Sequence, residues 1–472
     1  MAKRKETDKA SNQAKKRSSE FREKVANNLA VTRMFEGVSQ SELAERLGTS
    51  KSSISRIEKG EQNLTLDYVN AYAEALGKQP VFMVQEPPIK YSDNSVFQLK
   101  LYDEVLMKFS MSRTPEFGIE VIYVNEERRH LLPLDLETTP EGIEKWLEHR
   151  SIPKNREMVG DILGALNLSI NDLKGIVDVC MGLSLNDSYW LTQPAFEGKF
   201  DDYNLYENEF SNALSLVAYT GKYYSGVRRM RTSPELTTGG MLRKAWRYFS
   251  KDSIWLYKGG TEGFANAGME PYSEFYASQI AKRMGLNAVE YELENWKGIL
   301  ASKCRLFTNK YMSYIPIGRI VRSGGIDAVI DCYKTLGDDF YEQLADMLVF
   351  DAVIVNEDRH YGNFGLLRNS LTGEIAAPAP VFDNGISLLC YAMRDDFDNG
   401  IDKYLETRSN PYGRGNEFIP LAKRVMGKRQ KTMLRKLIGF KFEESEVSNP
   451  PSWRVHALEE LVQQRVRMLL EE

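Results

Sequence analysis

At 472 residues, with 42% hydrophobic and 27% charged side chains, the chain is too long for one ordinary core and has the balance of a folded globular protein. No apolar run approaches the ~18 residues that would cross a bilayer, and the basic opening Met1-Ala2-Lys3-Arg4-Lys5 leads into polar residues rather than a secretory apolar stretch, so a cytoplasmic protein without a membrane partner is expected. The net charge of -4 hides an asymmetry: the first 80 residues hold 15 Lys and Arg against 11 Asp and Glu, a balance of +4, and the remainder carries -8. A basic surplus confined to one end is what attraction to nucleic-acid phosphate requires. Cys180, Cys304, Cys332 and Cys390 stand singly, without zinc-site spacing or disulfide density, and are read as reduced thiols. His130, His149, His360 and His456 are equally scattered, and of these only His360 lies inside a motif.

Residues 1 to 19 are mostly Lys, Arg, Ser, Asn and Gln, too polar to offset ordering entropy, and predict a mobile basic tail in which Lys15, Lys16 and Arg17 are available to DNA phosphates. From Phe21, apolar residues at Val25, Leu29 and Met34 recur at helical intervals. Ser39 caps a second helix bearing Leu43, Ala44 and Leu47, which Gly48 ends. Thr49 or Ser50 caps a third, with Ile54 and Ile57 inward and Lys51, Ser52, Ser53, Ser55 and Arg56 outward. A fourth and a fifth helical piece around Leu66 to Leu76 close the bundle, with Tyr68, Val69, Tyr72 and Ala73 inward, before Gly77 and the prolines Pro80, Pro87 and Pro88. A short polar helix after a tight glycine turn is suited to a DNA major groove. With Gln40 opening the second helix, Leu-Ala-x-x-Leu-Gly and Ile-Ser-x-Ile-Glu-x-Gly, the segment resembles the helix-turn-helix of Cro and lambda repressor (the XRE type). The resemblance implies operator DNA as partner, Gln40 anchored to backbone or base, and Lys51, Ser52, Ser53, Ser55 and Arg56 as DNA contacts. It also implies a homodimer, since such repressors read paired half-sites, and a place on the nucleoid when DNA is bound.

Val96 to Met111 and Phe117 to Tyr123 mix apolar and β-branched residues and predict a hairpin or meander. Helical spacing follows over Gly142 to His149, Arg156 to Leu166 and Ile170 to Met181. The aromatic and acidic stretches Trp190 to Thr192 and Asn204 to Ser211 are read as a seam between domains.

Chemistry enters with Thr232-Ser233-Pro234-Glu235-Leu236-Thr237-Thr238-Gly239-Gly240, where a glycine pair flanked by hydroxyls lets backbone amides close on phosphate, so Thr238, Gly239 and Gly240 are candidate nucleotide contacts. The basic stretch Arg243 to Trp246 leads to Ile254-Trp255-Leu256-Tyr257-Lys258-Gly259-Gly260, a strand with one lysine suited to nucleotide phosphates. An amphipathic helix over Tyr272 to Gly285 places Glu274 where it can pair with Lys258. A buried helix over Leu344 to Ile354 delivers Asn356-Glu357-Asp358-Arg359-His360-Tyr361-Gly362-Asn363, and Phe382-Asp383-Asn384-Gly385 follows. An Asp, an Asn five residues on, and a later Asp in a glycine turn are the base and the two metal-binding groups of protein kinases, where transfer depends on neutralising charge and aligning two oxygens. His360 is read first as a loop-ordering residue and also as a candidate nucleotide contact.

These residues, Asn-x-Asp-Arg-His-x-x-Asn-Phe-Gly-Leu-Leu followed by Phe-Asp-Asn-Gly, resemble the HipA-like family of bacterial serine/threonine kinases, the toxin kinases of toxin-antitoxin modules, over about residues 226 to 470. The resemblance implies ATP and Mg²⁺ as cofactors, Asp358 as catalytic base, Asn363 and Asp383 as metal ligands, and Lys258 as the ATP-phosphate lysine. It further implies a protein substrate, such as an aminoacyl-tRNA synthetase, and silencing by autophosphorylation in the phosphate-binding loop, where Ser233, Thr237 and Thr238 are the counterparts. Two departures stand out: the loop Arg231 to Gly240 does not match the family's usual loop, and the DNA reader, normally a separate antitoxin, is fused here.

The expected fold class is multidomain α+β, an all-α helix-turn-helix bundle followed by a two-lobed kinase-related fold. Its segments are a tail over 1–19, the DNA reader over 20–80, an accessory β and helical region over 81–225, a nucleotide-binding lobe over 226–318 and a helical catalytic lobe over 319–472. The function expected first is a protein serine/threonine kinase with an autoregulatory DNA reader; a nucleotide-sensing repressor with an inactive kinase fold and a small-molecule kinase are the alternatives.

Overall fold

The computed structural model describes residues 38–80, 94–112, 118–166, 168–221, 233–263, 267–408, 410–413 and 415–471, with 22, 25–26, 28–30, 32–33 and 36 before them. The basic tail, Phe21, Met34, Pro87, Pro88, Phe117, Arg231 and Thr232 lie outside the described residues. The chain forms two compact units, Met1–Pro87 and Pro88–Glu472.

In the smaller unit the described residues between Arg22 and Arg33 are helical, and three capped helices follow. The first, α1 (Gln40–Arg46), starts where the Ser39 hydroxyl accepts from the Glu42 amide. Gly48, at φ +61°, turns the chain into α2 (Lys51–Glu58), capped by Ser50 rather than Thr49. Thr65 caps α3 (Leu66–Ala75) in the same way. Apolar residues at helical spacing meet in one core of Leu29, Leu43, Ala44, Ile54, Ile57, Val69, Tyr72 and Leu76. Where two helical pieces were expected around Leu66 to Leu76, one continuous helix forms; neither glycine nor proline interrupts it before Gly77.

Among its described residues the larger unit mixes helices with three antiparallel sheets. Strands β1 (Asn94–Leu101), β2 (Glu104–Ser112) and β3 (Ile119–Val124) form the expected meander. A fourth strand, β4 (Tyr189–Thr192), which the sequence reading had placed in a seam, pairs with β1 and completes the order β3-β2-β1-β4. Between them run α4 (Pro140–His149), α5 (Val159–Gly164) and α6 (Leu173–Cys180). Trp190 does also serve the seam: with Phe200, Leu205, Tyr206 and Phe210 it packs against Ile254 of the second sheet.

After α7 (Asn212–Thr220) that second sheet consists of β5 (Lys244–Ser250), β6 (Ser253–Gly259), β7 (Tyr291–Trp296) and β8 (Ile299–Arg305) in the order β5-β6-β8-β7. Successive residues alternate between its faces. Ala245, Tyr257, Trp296 and Ala301 look into a core shared with Leu214, Val217 and Tyr219 of α7. Lys244, Lys258 and Cys304 point the other way, toward α8 (Glu270–Met284), which Gly285 ends at φ +82°.

A helical body holds the C-terminal part together. The strands β9 (Met312–Pro316), β10 (Gly365–Asn369) and β11 (Ile375–Pro378) form a small sheet beside α9 (Gly325–Leu336) and α10 (Asp338–Ile354). With α11 (Phe418–Val425), α12 (Lys428–Arg435) and α13 (Ser452–Leu470), α10 forms the largest core, in which Leu344 to Val355 are buried without a break. A helix apolar on nearly all sides is a buried one, and its end is therefore a fixed point for the loop that follows. The four cysteines are free thiols, and no described helix is long and apolar enough to cross a membrane.

Candidate active site

The loop after α10 leaves the helix through Val355, at φ +53°, and is built around one buried guanidinium. Arg359, fully enclosed, donates from Nε to Asp351 at 2.9 Å, from Nη1 to the carbonyls of Asn363 and Phe382, and from Nη2 to Asn384 Oδ1. It thereby ties the buried helix, the loop at 356–363 and the turn at 382–385 into one body. Burial works against its charge, but Asp351 outweighs burial and holds its pKa above the ordinary arginine value. Asp351 also accepts from the Tyr412 hydroxyl at 2.5 Å. Arg359 thus pairs with Asp351 and leaves the neighbouring Asp358 carboxylate to the cleft.

Asp358 is held by its backbone: its amide donates to Asn356 Oδ1 at 3.1 Å and its carbonyl accepts from Asn363 Nδ2 at 3.1 Å. Partial burial raises its pKa above the usual carboxylate range, with His360 acting in the opposite sense. His360 Nδ1 accepts from the Gly362 amide at 3.0 Å, which closes the loop as the sequence suggested; a Cβ at Gly362 would run into that ring.

The turn carrying Asp383 is placed by a parallel bridge, in which the Val289 amide donates to the Val381 carbonyl and the Val381 amide to that of Asn287. Asp383 itself sits at φ +58°, a conformation few non-glycine residues adopt. Its amide donates to the Tyr291 hydroxyl, and its Oδ1 accepts from Lys258 Nζ at 2.5 Å. Lys258 also pairs with Glu274 Oε1, and Glu274 Oε2 accepts from the Asn384 amide at 2.8 Å. One lysine on a strand, one glutamate on a helix and one aspartate in a turn therefore meet, as the order of motifs predicted for the first two. Burial opposes the charge on Lys258, yet Asp383 and Glu274 together raise its pKa above the ordinary lysine value. Burial likewise opposes ionisation of Asp383, and Lys258, then Lys244, reverse this and hold it below the carboxylate range. For Glu274 burial prevails and the pKa is raised.

Lys244 was not singled out from the sequence, where it was one of several basic residues. It lies in the cleft, 7% exposed, and burial lowers its pKa to about 8.

The segment from Ser233 to Gly240 forms a tight turn at the mouth of β5. Glu235 is fully buried, accepting from Arg156 Nη2 at 2.6 Å and from the Trp246 amide at 2.7 Å. The Ser233 hydroxyl, buried, accepts from the Glu235 amide; the Thr237 hydroxyl, also buried, donates to the Leu183 carbonyl at 2.8 Å. Thr238 is half-buried and donates to the Pro234 carbonyl, while Gly239 and Gly240 are exposed. The Ser233 and Thr237 hydroxyls, expected from the sequence as modification sites, are thus both enclosed and engaged within the turn.

In the smaller unit Lys51, Ser52 and Arg56 are exposed on one side of α2, with Ser53 and Ser55 half-buried beside them. Gln40 does not stand free: its Nε2 donates to Glu58 Oε2 at 2.8 Å. Glu58 also receives Arg33, at 2.6 Å from Nε, and the Tyr72 hydroxyl at 2.6 Å, a knot that sequence reasoning missed because its four members are spread over four helical segments.

Comparison with known proteins adds to this geometry. Residues 36–83 match the helix-turn-helix family model. The serine/threonine-protein kinase CtkA of Helicobacter pylori is 30% identical over 139 residues, covering 26% of this chain and 42% of that protein, so the match spans less than half the relative's length. Among solved structures, the crystal structure of the Helicobacter pylori proinflammatory kinase CtkA aligns at 18% identity and a TM-score of 0.36, over 48% of this chain and 92% of that one. The Shewanella oneidensis complex of the toxin-antitoxin proteins HipA and HipB with operator DNA aligns at 13% identity and a TM-score of 0.44, over 79% of this chain and 96% of that one. The family-model match bears out the helix-turn-helix read from the motifs, and the relative matched over 26% of this chain is a serine/threonine kinase, the kind of enzyme the motifs resemble.

Proposed function

We propose that the chain is an ATP- and Mg²⁺-dependent serine/threonine protein kinase whose fused helix-turn-helix binds operator DNA, in the manner of a toxin-antitoxin regulator. The observation that carries this reading is the meeting of Lys258, Glu274 and Asp383, drawn from three elements, beside Asp358 and Asn363 on a loop anchored by the same Arg359. Lys258, oriented by Glu274, holds oxygens of the nucleotide triphosphate. Asp358, with no hydrogen bond to its carboxylate among the described residues, accepts the proton of the substrate hydroxyl as that oxygen bonds to the terminal phosphorus and the bond to ADP breaks.

The residues present suit Mg²⁺. Asn363 donates through Nδ2 and Asp383 accepts through Oδ1, which leaves Asn363 Oδ1 and Asp383 Oδ2 without a hydrogen-bond partner among the described residues. Two hard oxygen donors, outside any cluster of three or more acidic, histidine or cysteine side chains among the described residues, are the set expected of an ion completed by phosphate and water. When bound, the ion neutralises charge on the phosphates. The finer division of the larger unit near residues 225 and 318 belongs to the same proposal, since the cleft lies between the second sheet and the helical body.

DNA binding is assigned to Lys51, Ser52, Ser53, Ser55 and Arg56, with Gln40 positioning the helices through Glu58, and dimerisation to the paired half-sites such modules read. The test is to incubate the purified chain and its Asp358→Ala variant with Mg²⁺ and γ-labelled ATP, then to locate phosphate by mass spectrometry. Phosphate on Ser or Thr that vanishes in the variant supports the reading. ATP binding without label, on the chain or on added protein substrates, and DNA affinity that changes with ATP would replace it with a nucleotide-sensing repressor.

A further inference from the structure

One fully enclosed ion pair, that of Arg156 with Glu235, takes no part in the proposed mechanism. Arg156 stands on the bend between α4 and α5, outside both the second sheet and the helical body, and its guanidinium and the Glu235 carboxylate are both shut off from solvent. Nη2 donates to Glu235 Oε2 at 2.6 Å and to the Lys244 carbonyl at 2.9 Å. Nη1 donates to the Glu235 carbonyl at 2.7 Å and reaches that of Thr238 at 3.4 Å. One side chain thus grips the start, the middle and the exit of a turn that lies 79 to 88 positions further along the chain. The Glu157 amide adds a bond to the Met241 carbonyl at 2.8 Å. From the sheet, the Trp246 amide donates to Glu235 Oε1 and the Trp246 indole to the Thr238 hydroxyl at 3.0 Å.

These bonds divide the polar groups of the turn. The carbonyls of Glu235, Thr238 and Lys244 are committed to Arg156 and that of Met241 to Glu157, whereas the amides of the exposed Gly239 and Gly240 have no partner among the described residues. Carbonyls repel phosphate and amides attract it, so a turn whose carbonyls are taken up is left presenting its amides. Taking both members of an ion pair out of water roughly offsets their attraction, and such a pair is better suited to fixing one geometry than to adding stability. Arg359 fixes the loop at 356–363 in this way. Arg156 is its counterpart for the glycine turn.

We propose that Arg156 is the positioning residue of the nucleotide turn: paired with Glu235, it holds the backbone of residues 235–241 in the form that offers the Gly239 and Gly240 amides to phosphate, so that affinity for the triphosphate is set from the accessory region. The inference rests on the reading of the cleft as a nucleotide site, and its test separates the two.

Two variants of the full-length chain are compared with the wild type. Arg156→Lys keeps a charge beside Glu235 but lacks the planar fork that spans several carbonyls. Arg156→Met combined with Glu235→Gln removes both charges together, so that neither is stranded. Affinity for ATP with Mg²⁺ and for adenosine is measured by calorimetry, and amide hydrogen exchange of the ligand-free proteins by mass spectrometry. The double variant should bind ATP about tenfold more weakly, Arg156→Lys should fall between it and the wild type, and adenosine affinity should hold in both. Exchange should quicken over residues 235–241 and stay as it was in β6 and α10. ATP affinity unchanged in the double variant, an equal loss for adenosine, or faster exchange throughout the larger unit would overturn the inference and leave the nucleotide site standing. A wild type that binds neither ATP nor adenosine would remove the nucleotide site itself, and this inference with it.

Discussion

The two compact units differ in how far their polar knots reach along the chain. In the smaller one Glu58 gathers Arg33, Gln40 and Tyr72, none more than 25 residues away. In the larger one Lys258 and Asp383 meet across 125 residues, and Arg359 joins a helix, a loop and a turn. A knot closed within one short bundle orders a recognition surface. One closed across a whole unit makes the cleft depend on the complete fold, so that the geometry of the cleft and folding are tested by the same substitutions.

The largest effect should come from Asp383→Ala. It removes the partner of Lys258 together with a proposed metal ligand, and phosphoryl transfer should fall by about 10³-fold or more, read from single-turnover assays, with operator affinity unchanged. Equal loss of DNA binding would mean that the two units do not act separately. Arg359→Met comes next: it strands Asp351 in a fully buried site and should cost about 3 to 5 kcal/mol, lowering the melting transition of the larger unit in a calorimetric scan. A transition that stays in place would show that the three segments are held by packing alone.

Acid should distinguish the smaller unit. Burial favours the protonated form of Glu58, but hydrogen bonds from Arg33, Tyr72 and Gln40 prevail and lower its pKa. A carboxylate whose folded pKa lies below its unfolded value stabilises the fold above the unfolded pKa, and that contribution is lost as pH falls through the folded one. The smaller unit should therefore lose stability below about pH 4.3, and Glu58→Gln should flatten that dependence. An unchanged profile in the variant would place the acid sensitivity elsewhere. The smallest effect expected is that of Arg56→Ala, which should weaken operator binding about tenfold and reduce the salt slope by about one if the contact is to phosphate. Full affinity at every salt concentration would remove Arg56 from the interface.

How much was legible follows the same division. Ser39 and the pair Thr49-Ser50 announced helix starts, Gly48 and Gly77 announced stops, and the apolar spacing between them placed the core, because all of these signals are local. Lys258, Glu274, Asp358, Asn363 and Asp383 were singled out through spacing and order, and the fold gathers them at one cleft. Lys244 was missed because its character comes from lying opposite Lys258 on the next strand, and strand register is not written in any one segment. Arg359 stood in the loop motif with no role assigned to it; that it pairs with Asp351 one helical turn and a loop earlier depends on how α10 ends. The strand at Tyr189–Thr192 was read as seam material for the same reason, its partner residues on β1 lying 88 to 94 positions earlier.

The most direct test of the cleft is a crystal structure of the full chain with Mg²⁺ and a non-hydrolysable ATP analogue. The account predicts the triphosphate against Lys258 under the Gly239-Gly240 turn, the ion on Asn363 and Asp383, and Asp358 facing the terminal phosphate. A nucleotide bound away from Lys258 and Asp383, or an ion held by other residues, would contradict it.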